Sequence, residues 1–360
     1  MQTMPFDIEL TAPNGTHQTV CCQECLRTIK HRRTVFAGSW QGYPVIIKRF
    51  EDFFSGYRCR REKRGLQKLL ALGLVSPKVL LTGKDAPSHH ILVIEKIEKA
   101  VDVLTAVESA ASQKAARETL LSVICYIAQM HQVGVTQQDL HLGNFLVAES
   151  QIYAIDPACM QFSRKPVSLA QSRRQLAILF ATLQPPALSW IEELLKAYCR
   201  VRGQIFTSEM LDSVRILIDR RRKQYLPHAL KKTLRNSKHF FVLEVPPYRG
   251  VFYKDAIDAE SARQLIETFK MARVPEEVNR KVDIKVREFS VIQYKPNNGF
   301  MALWYGLTGS PARREWLTAW RMIYSGQPNP FPVALIEHRI GLMVKDAFLV
   351  SIEDQKKRPK

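Results

Sequence analysis

The chain has 360 residues, 46% of them hydrophobic, which is enough for packed cores in one large or two ordinary domains. No uninterrupted apolar run reaches the roughly 18–20 residues of a membrane span, and the opening MQTMPFDIELTAP lacks the basic start and apolar stretch of a secretory signal. A formal charge of +19, with basic residues clustered at Lys30–Arg33, Arg58–Arg64 and Arg220–Lys223, sets up a field that attracts polyanions, either nucleic acid or an anionic membrane surface.

Residues 1–26 read as a partly ordered lead-in. From Arg33 the pattern turns strand-like: Thr34–Gly38 and Tyr43–Lys48 flank a turn around Trp40-Gln41-Gly42. A charged helix follows from Tyr57 to Leu72, with Leu66, Leu69 and Leu70 on its apolar face. Strands are expected at Lys78–Thr82 and Ile91–Glu95, with His89-His90 in an exposed loop before the second. An amphipathic helix over about 113–131 ends at Gly134. Two more helices are expected at 169–183 and 188–202, and the run Arg220–Lys223 ends another before Pro227. Beyond it the strand pattern returns at 239–244 and 250–254 and around Val286–Tyr294. A turn is expected at Asn297-Asn298-Gly299, a helix from Arg313, and further strands at 332–336 and 347–353.

The chemistry-bearing stretch is QQDLHLGNFLVAESQIYAID, residues 137–156. Asp139 is followed five residues later by Asn144, then by the apolar run Phe145-Leu146-Val147, and Tyr153-Ala154-Ile155 leads to Asp156. This reads as a loop running into a short hairpin, bringing two carboxylates and a carboxamide to one place. Phosphoryl transfer needs these groups: one carboxylate to aim the attacking hydroxyl, and a second with an amide oxygen to hold Mg²⁺. The same residues could also belong to a surface hairpin, since Asp and Asn are common turn residues.

With the helix that precedes it, the string resembles the core of the protein-kinase-like superfamily, and DLHLGNFLV followed by Ile-Asp is similar to the bacterial lipopolysaccharide core kinases, the heptose and Kdo kinases. The resemblance covers residues 33–225. It implies an α+β, two-lobed protein-kinase-like fold over residues 1–235, with a small lobe at 27–99 and a large lobe at 100–235. It implies ATP and Mg²⁺ as cofactors, Asp139 as the base, and Asn144 and Asp156 as Mg²⁺ ligands. Lys48, in Val45-Ile46-Ile47-Lys48, would contact the nucleotide phosphates with Glu62 as its partner. Gly38 would lie in the phosphate-covering hairpin, Glu95 would lead into the adenine-binding hinge, and His141 would orient the loop. Gln137-Gln138 stands where the family has His-Gly or His-Arg, and Pro157-Ala158 where protein kinases have Phe-Gly.

The implied partner is the anionic glycolipid itself, met in the cytoplasm with peripheral contact at the cytoplasmic face of the inner membrane. Nucleic acid is not expected, because no helix-turn-helix, zinc-finger or aromatic-platform motif is present. The alternatives are a non-catalytic scaffold of lipopolysaccharide assembly and a kinase of another small hydroxyl compound. Seven cysteines in a chain of this kind do not suggest a disulfide framework, and Cys22-x-x-Cys25 lacks the second pair that a structural zinc site needs. Finally, residues 236–360 read as a second, truncated small-lobe-like α+β domain, the alternative being an unrelated α/β domain that happens to contain a lysine strand and a glutamate helix. There Lys254 corresponds to Lys48, Glu315 to Glu62, the segment from Pro332 to the one from Pro77, and Glu353 to Glu95.

Overall fold

The computed structural model describes residues 4–86, 88–183, 186–271, 281–286, 289–325 and 330–352. Helix and strand are mixed throughout, and the chain packs as two compact units, Met1–Asp219 and Arg220–Lys360.

The first unit opens with strands β1 (Phe6–Thr11), β2 (His17–Ile29), β3 (Arg33–Trp40) and β4 (Tyr43–Phe50), then helix α1 (Ser55–Ala71) and strands β5 (Val79–Asp85) and β6 (His90–Glu95). They pair in the order β1-β2-β3-β4-β6-β5, and β1 meets β5 at Leu10↔Asp85 and Thr11↔Lys84 to close a barrel. The lead-in expected at 1–26 is therefore corrected: it supplies two strands. Ile8 and Leu10 alternate with polar residues and, with Val20 and Cys22, fill the barrel beside Phe36, Val45, Ile47, Ile91 and Val93.

Period-two alternation sends the intervening residues of β4 and β6 the other way. Ile46, Phe50, Leu92 and Ile94 pack with Cys59 and Leu66 of α1. Val45–Ile47 is an unbroken apolar run because both faces of its strand are covered. The Gln41-Gly42 turn has positive φ at both positions (51° and 80°), the geometry that two-residue hairpins favour. His89-His90 is not an exposed loop: His90 opens β6 half-buried, bonded to Ser55 Oγ (3.1 Å), and His89 Nδ1 faces Asp85 (3.3 Å).

The rest of this unit comprises β7 (Val101–Asp102), α2 (Val103–Glu108), α3 (Gln113–Gln132), β8 (Val135–Gln137), β9 (Phe145–Ala148), β10 (Gln151–Ala154), β11 (Met160–Phe162), α4 (Leu169–Phe180) and α5 (Ile191–Val201). Then α6 (Ser208–Lys232) runs across the division between the units. Side chains cap the helix starts: Asp102, Ser112 and Ser168 accept from the backbone N–H of Thr105, Ala115 and Gln171. The core joins the apolar faces of α3, α4 and α5 to Phe145, Ile152 and Ala154 of the β9–β10 hairpin. Pro227 does not end a helix as expected; α6 continues through it, although proline forfeits one backbone hydrogen bond there.

The second unit holds β12 (Phe240–Val245), β13 (Tyr248–Tyr253), α7 (Ala259–Met271), β14 (Lys281–Val286), β15 (Phe289–Tyr294), α8 (Gly299–Thr308), α9 (Pro311–Tyr324), β16 (Phe331–Ile340) and β17 (Met343–Ile352). Asn298 caps α8 by accepting from the Met301 N–H (2.9 Å), so the stretch expected as a turn starts a helix. Trp316 and Trp320 of α9 stack edge-on with Phe240, and Trp316 Nε1 donates to Thr233.

The sheet order, β12-β13-β16-β17-β15-β14, differs from that of the first barrel. In the barrel the lysine strand β4 pairs with β6, the later strand, and β5 lies outside it. Here β13 pairs with β16, the earlier strand. The physical reason is burial: β16 is covered on both faces from Phe331 to Glu337, as a central strand must be, whereas β5 is largely half-exposed. Lys254 falls just past β13 and donates to the Ser237 carbonyl (2.7 Å); it makes no ion pair among the described residues. Glu353, the expected counterpart of Glu95, lies outside the described residues.

Candidate functional site

Lys48 sits in β4 on the face turned toward α1, the parity shared with Ile46 and Phe50. Its Nζ pairs with Glu62 Oε1, and both residues are buried, Glu62 to 1% exposure. Removing Glu62 would leave the buried Lys48 ammonium without its ion-pair partner, which costs about 3–5 kcal/mol.

Residues directly opposite in register share a face. Because Val35 pairs with Lys48 and Arg33 with Phe50, Arg33 also points toward α1. Its guanidinium reaches Glu62 Oε2 (3.4 Å) and lies 3.9 Å from Asp156 Oδ2. Arg33 thus connects the pair expected from the sequence to the downstream aspartate. Sequence reasoning counted it only as part of a basic cluster; the signal that could have found it is its two-residue spacing from Val35 on the face of Lys48.

Asp156 follows β10 in a left-handed backbone (φ 58°), a conformation that costs a non-glycine residue on the order of 1 kcal/mol. The surrounding hydrogen bonds hold it there. Ile155 N–H donates to the Asn144 carbonyl (2.9 Å), Ala154 N–H to the Val75 carbonyl (3.1 Å), and Ser76 Oγ to the Ala154 carbonyl (3.0 Å). On its other side Pro157 abuts α1 so closely that a Cβ on Gly65 would come within 2.6 Å of the proline ring. The glycine lets the glutamate helix and the aspartate turn touch.

In the preceding loop Asn144 is buried, and its Nδ2 donates to the Asp139 carbonyl (2.6 Å). That orientation leaves Oδ1 available as a hard oxygen donor. Asp139 itself projects outward, its side chain 69% exposed, with His141 Nε2 3.8 Å away. The loop is braced through its backbone: Gln137 N–H donates to Gln175 Oε1 (3.0 Å) and Gln138 N–H to the Cys159 carbonyl (3.1 Å). Strand pairing and α4 thus brace the loop, and among the described residues Gln137 Oε1 is buried without a hydrogen-bond partner.

Two expected residues lie away from this cluster. Gly38 is mid-strand, where a Cβ would collide with the Cys21 carbonyl oxygen, so β2–β3 packing accounts for it. Glu95 accepts from the Lys78 backbone N–H (3.2 Å) at the end of β6. The turn at Gln41-Gly42 is also at the far end of β4 from Lys48. The turn at the lysine end is Lys30-His31-Arg32, which contains no glycine, is closed by Arg32 N–H on the Ile29 carbonyl (3.0 Å) and is tied to the end of β4 by Glu51 N–H on the Arg32 carbonyl (3.0 Å).

The oxygens at Asn144 and Asp156 suit Mg²⁺, a cation that keeps waters and takes phosphate oxygens as ligands. Among the described residues no group of three or more His, Cys, Asp or Glu could hold a metal without such help. Along the chain, Lys48, Glu62, Asp139, Asn144 and Asp156 all fall in one segment that has known relatives. Residues 42–173 match the lipopolysaccharide kinase (Kdo/WaaP) family. The match leaves out Arg33, Gly38 and the whole second unit. Among solved structures the chain is similar to vaccinia related kinase 3, with 11% identity, a TM-score of 0.35, and coverage of 61% of this chain and 85% of that one. No curated protein matches it.

Proposed function

We propose that the first unit is an ATP-dependent kinase of the two-lobed protein-kinase-like type, transferring phosphate to a sugar hydroxyl, heptose or Kdo, of the lipopolysaccharide inner core. The observation that carries this reading is the family match over residues 42–173, which spans both the buried Lys48–Glu62 pair and the Asp139–Asp156 loop.

In this reading the small lobe is the barrel with α1, and the large lobe runs on from about residue 100. Lys48, held by Glu62, would contact the nucleotide phosphates. Asn144 Oδ1 and the Asp156 carboxylate would hold Mg²⁺, which when bound neutralises charge on the phosphate oxygens. Asp139, exposed at the loop tip, aims the acceptor hydroxyl and takes its proton. Arg33 balances Glu62 and Asp156 and sets the distance between helix and loop. The basic turn Lys30-His31-Arg32, placed at the lysine end of the sheet, takes the phosphate-covering position assigned from the sequence to the Gly38–Gly42 hairpin. Catalysis would rest on positioning and charge neutralisation. The protein would act at the cytoplasmic face of the inner membrane; no helix among the described residues is long and apolar enough to cross it.

The test is incubation with labelled ATP, Mg²⁺ and dephosphorylated lipopolysaccharide core, beside an Asp139→Asn variant. Label should enter the glycolipid and fall about 10²–10⁴-fold in the variant, the usual contribution of a positioned base. Folded protein that binds nucleotide but labels no glycolipid would move the reading to another small hydroxyl acceptor. Protein that does neither would be a scaffold.

A further inference from the structure

Helix α1 does two jobs on opposite faces. Its inner face buries Cys59, Glu62, Leu66 and Leu69. Its outer stripe, at i, i+4, i+7 and i+11 spacing, carries Tyr57, Arg61, Arg64 and Lys68, with Arg60 beside them and Phe53-Phe54 leading in at the N-terminal end.

The aromatic residues are unusually open. Phe53 is 95% exposed, Phe54 59% and Tyr57 57%, with the two phenylalanine rings edge-on at 5.3 Å. None of Arg60, Arg61, Arg64 and Lys68 makes an ion pair among the described residues. Two are steadied by rings: Arg61 lies 6.0 Å from the Tyr57 centroid and Lys68 5.2 Å from that of Phe162. Between this stripe and Pro157, Met160 and Phe162 lies a cleft of about 260 Å³ walled by the four cations. Pro157 is the residue after Asp156, so the cleft adjoins the candidate site.

We infer that the outer face of α1 is a docking surface for an anionic lipid bilayer, with Phe53 and Phe54 entering the interface and the cationic cleft taking headgroup phosphates. The pairing of chemistries selects this occupant. Aromatic rings at one end of a cationic stripe match a boundary where acyl chains lie beneath a layer of phosphate. An acidic protein or a nucleic acid would use the cations but give the paired phenylalanines nowhere to go. Docking here would hold the loop around Asp156 at the surface in which a lipid-anchored acceptor lies; that last step rests on the kinase reading, whereas the docking itself does not.

The test is flotation with vesicles of phosphatidylcholine alone and of phosphatidylcholine with phosphatidylglycerol. The protein should bind the anionic vesicles and ignore the neutral ones. Arg60→Gln/Arg61→Gln/Arg64→Gln should weaken binding about 100-fold, on the usual contribution of each cation near such a surface. Phe53→Ser/Phe54→Ser should weaken it about 10-fold or more. Both variants change exposed side chains, and an unchanged thermal midpoint would verify their fold. Asp139→Asn should bind vesicles as the wild type does, so lost catalysis and lost docking are read separately. Binding that survives both sets of substitutions would overturn the inference. So would binding that the phenylalanine variant retains while millimolar inorganic phosphate abolishes it, because that outcome describes a phosphate pocket only.

Discussion

In both units a helix packs on a six-stranded antiparallel sheet, and in both a hairpin leads to a lysine while a later helix carries a glutamate. Only the first unit turns these residues into a pair. Lys48 lies inside its strand, two positions from the end, on the face that α1 covers, and Glu62 comes down on it from a buried position. Lys254 lies one residue past its strand and bonds a local carbonyl, while Glu315 of α9 acts on Tyr294, whose phenol burial first and that carboxylate second push upward. Among the described residues of the second unit the buried carboxylate is a different one, Glu337, held by Ser310 Oγ (2.7 Å) and Arg339. Residue order alone does not make a buried ion pair. The lysine must sit at the right parity in a strand whose neighbour on the helix side leaves it room.

If the second unit is held by its aromatic cluster, Trp316→Ala should cost about 3–5 kcal/mol of stability, as large-to-small core changes do, read by denaturant unfolding. The indole is fully buried and bonded to Thr233. Loss below about 1 kcal/mol would mean that the cluster does not hold that core. In the first unit, Lys48→Met should lower transfer about 10²–10³-fold, the usual cost of one preorganised charge donor, measured as kcat/KM for ATP.

Acid offers a gentler probe of the first unit. His131, 1% exposed at the end of α3 and bonded to Tyr198 Oη (2.8 Å), has its pKa pushed down to about 3, by burial first and by the Arg202 charge second. An unfolded chain would protonate this imidazole near its ordinary 6.5, and the folded one resists. Stability is therefore fully present above about pH 6.5 and falls as pH drops toward 3, by up to about 1.4 kcal/mol per pH unit. Urea midpoints across this range should show the slope, and His131→Gln should flatten it. The smallest effect belongs to Lys254→Met, a change at an exposed site that should stay within about 0.5 kcal/mol in stability and leave transfer unchanged.

How far the sequence could be read follows from the same physics. The loop from Asp139 to Asp156, the lysine strand and the glutamate helix were legible because each carries a strong local pattern: a spaced polar motif, the apolar run Val45–Ile47, a helical leucine face. The first two strands were passed over because a Thr- and Cys-containing alternation between Phe6 and Ile29 is faint beside the runs that follow. Arg33 was visible only as charge, since the register that aims it at Glu62 and Asp156 depends on pairing between β3 and β4. Gly38 suggested a phosphate cradle, but a glycine serving the approach of Cys21 looks the same in sequence. In the second unit the order of strands was beyond reach, because Pro332–Ile336 and Ala347–Ile352 are both apolar enough to be central.

The most direct measurement is the number and location of nucleotide sites, by titration calorimetry of Mg-ATP into the wild type, Lys48→Met and Lys254→Met. One nucleotide should bind per chain, lost or weakened at least tenfold by Lys48→Met and unaffected by Lys254→Met. A second bound nucleotide, or binding that survives loss of Lys48 and disappears with Lys254, would contradict it.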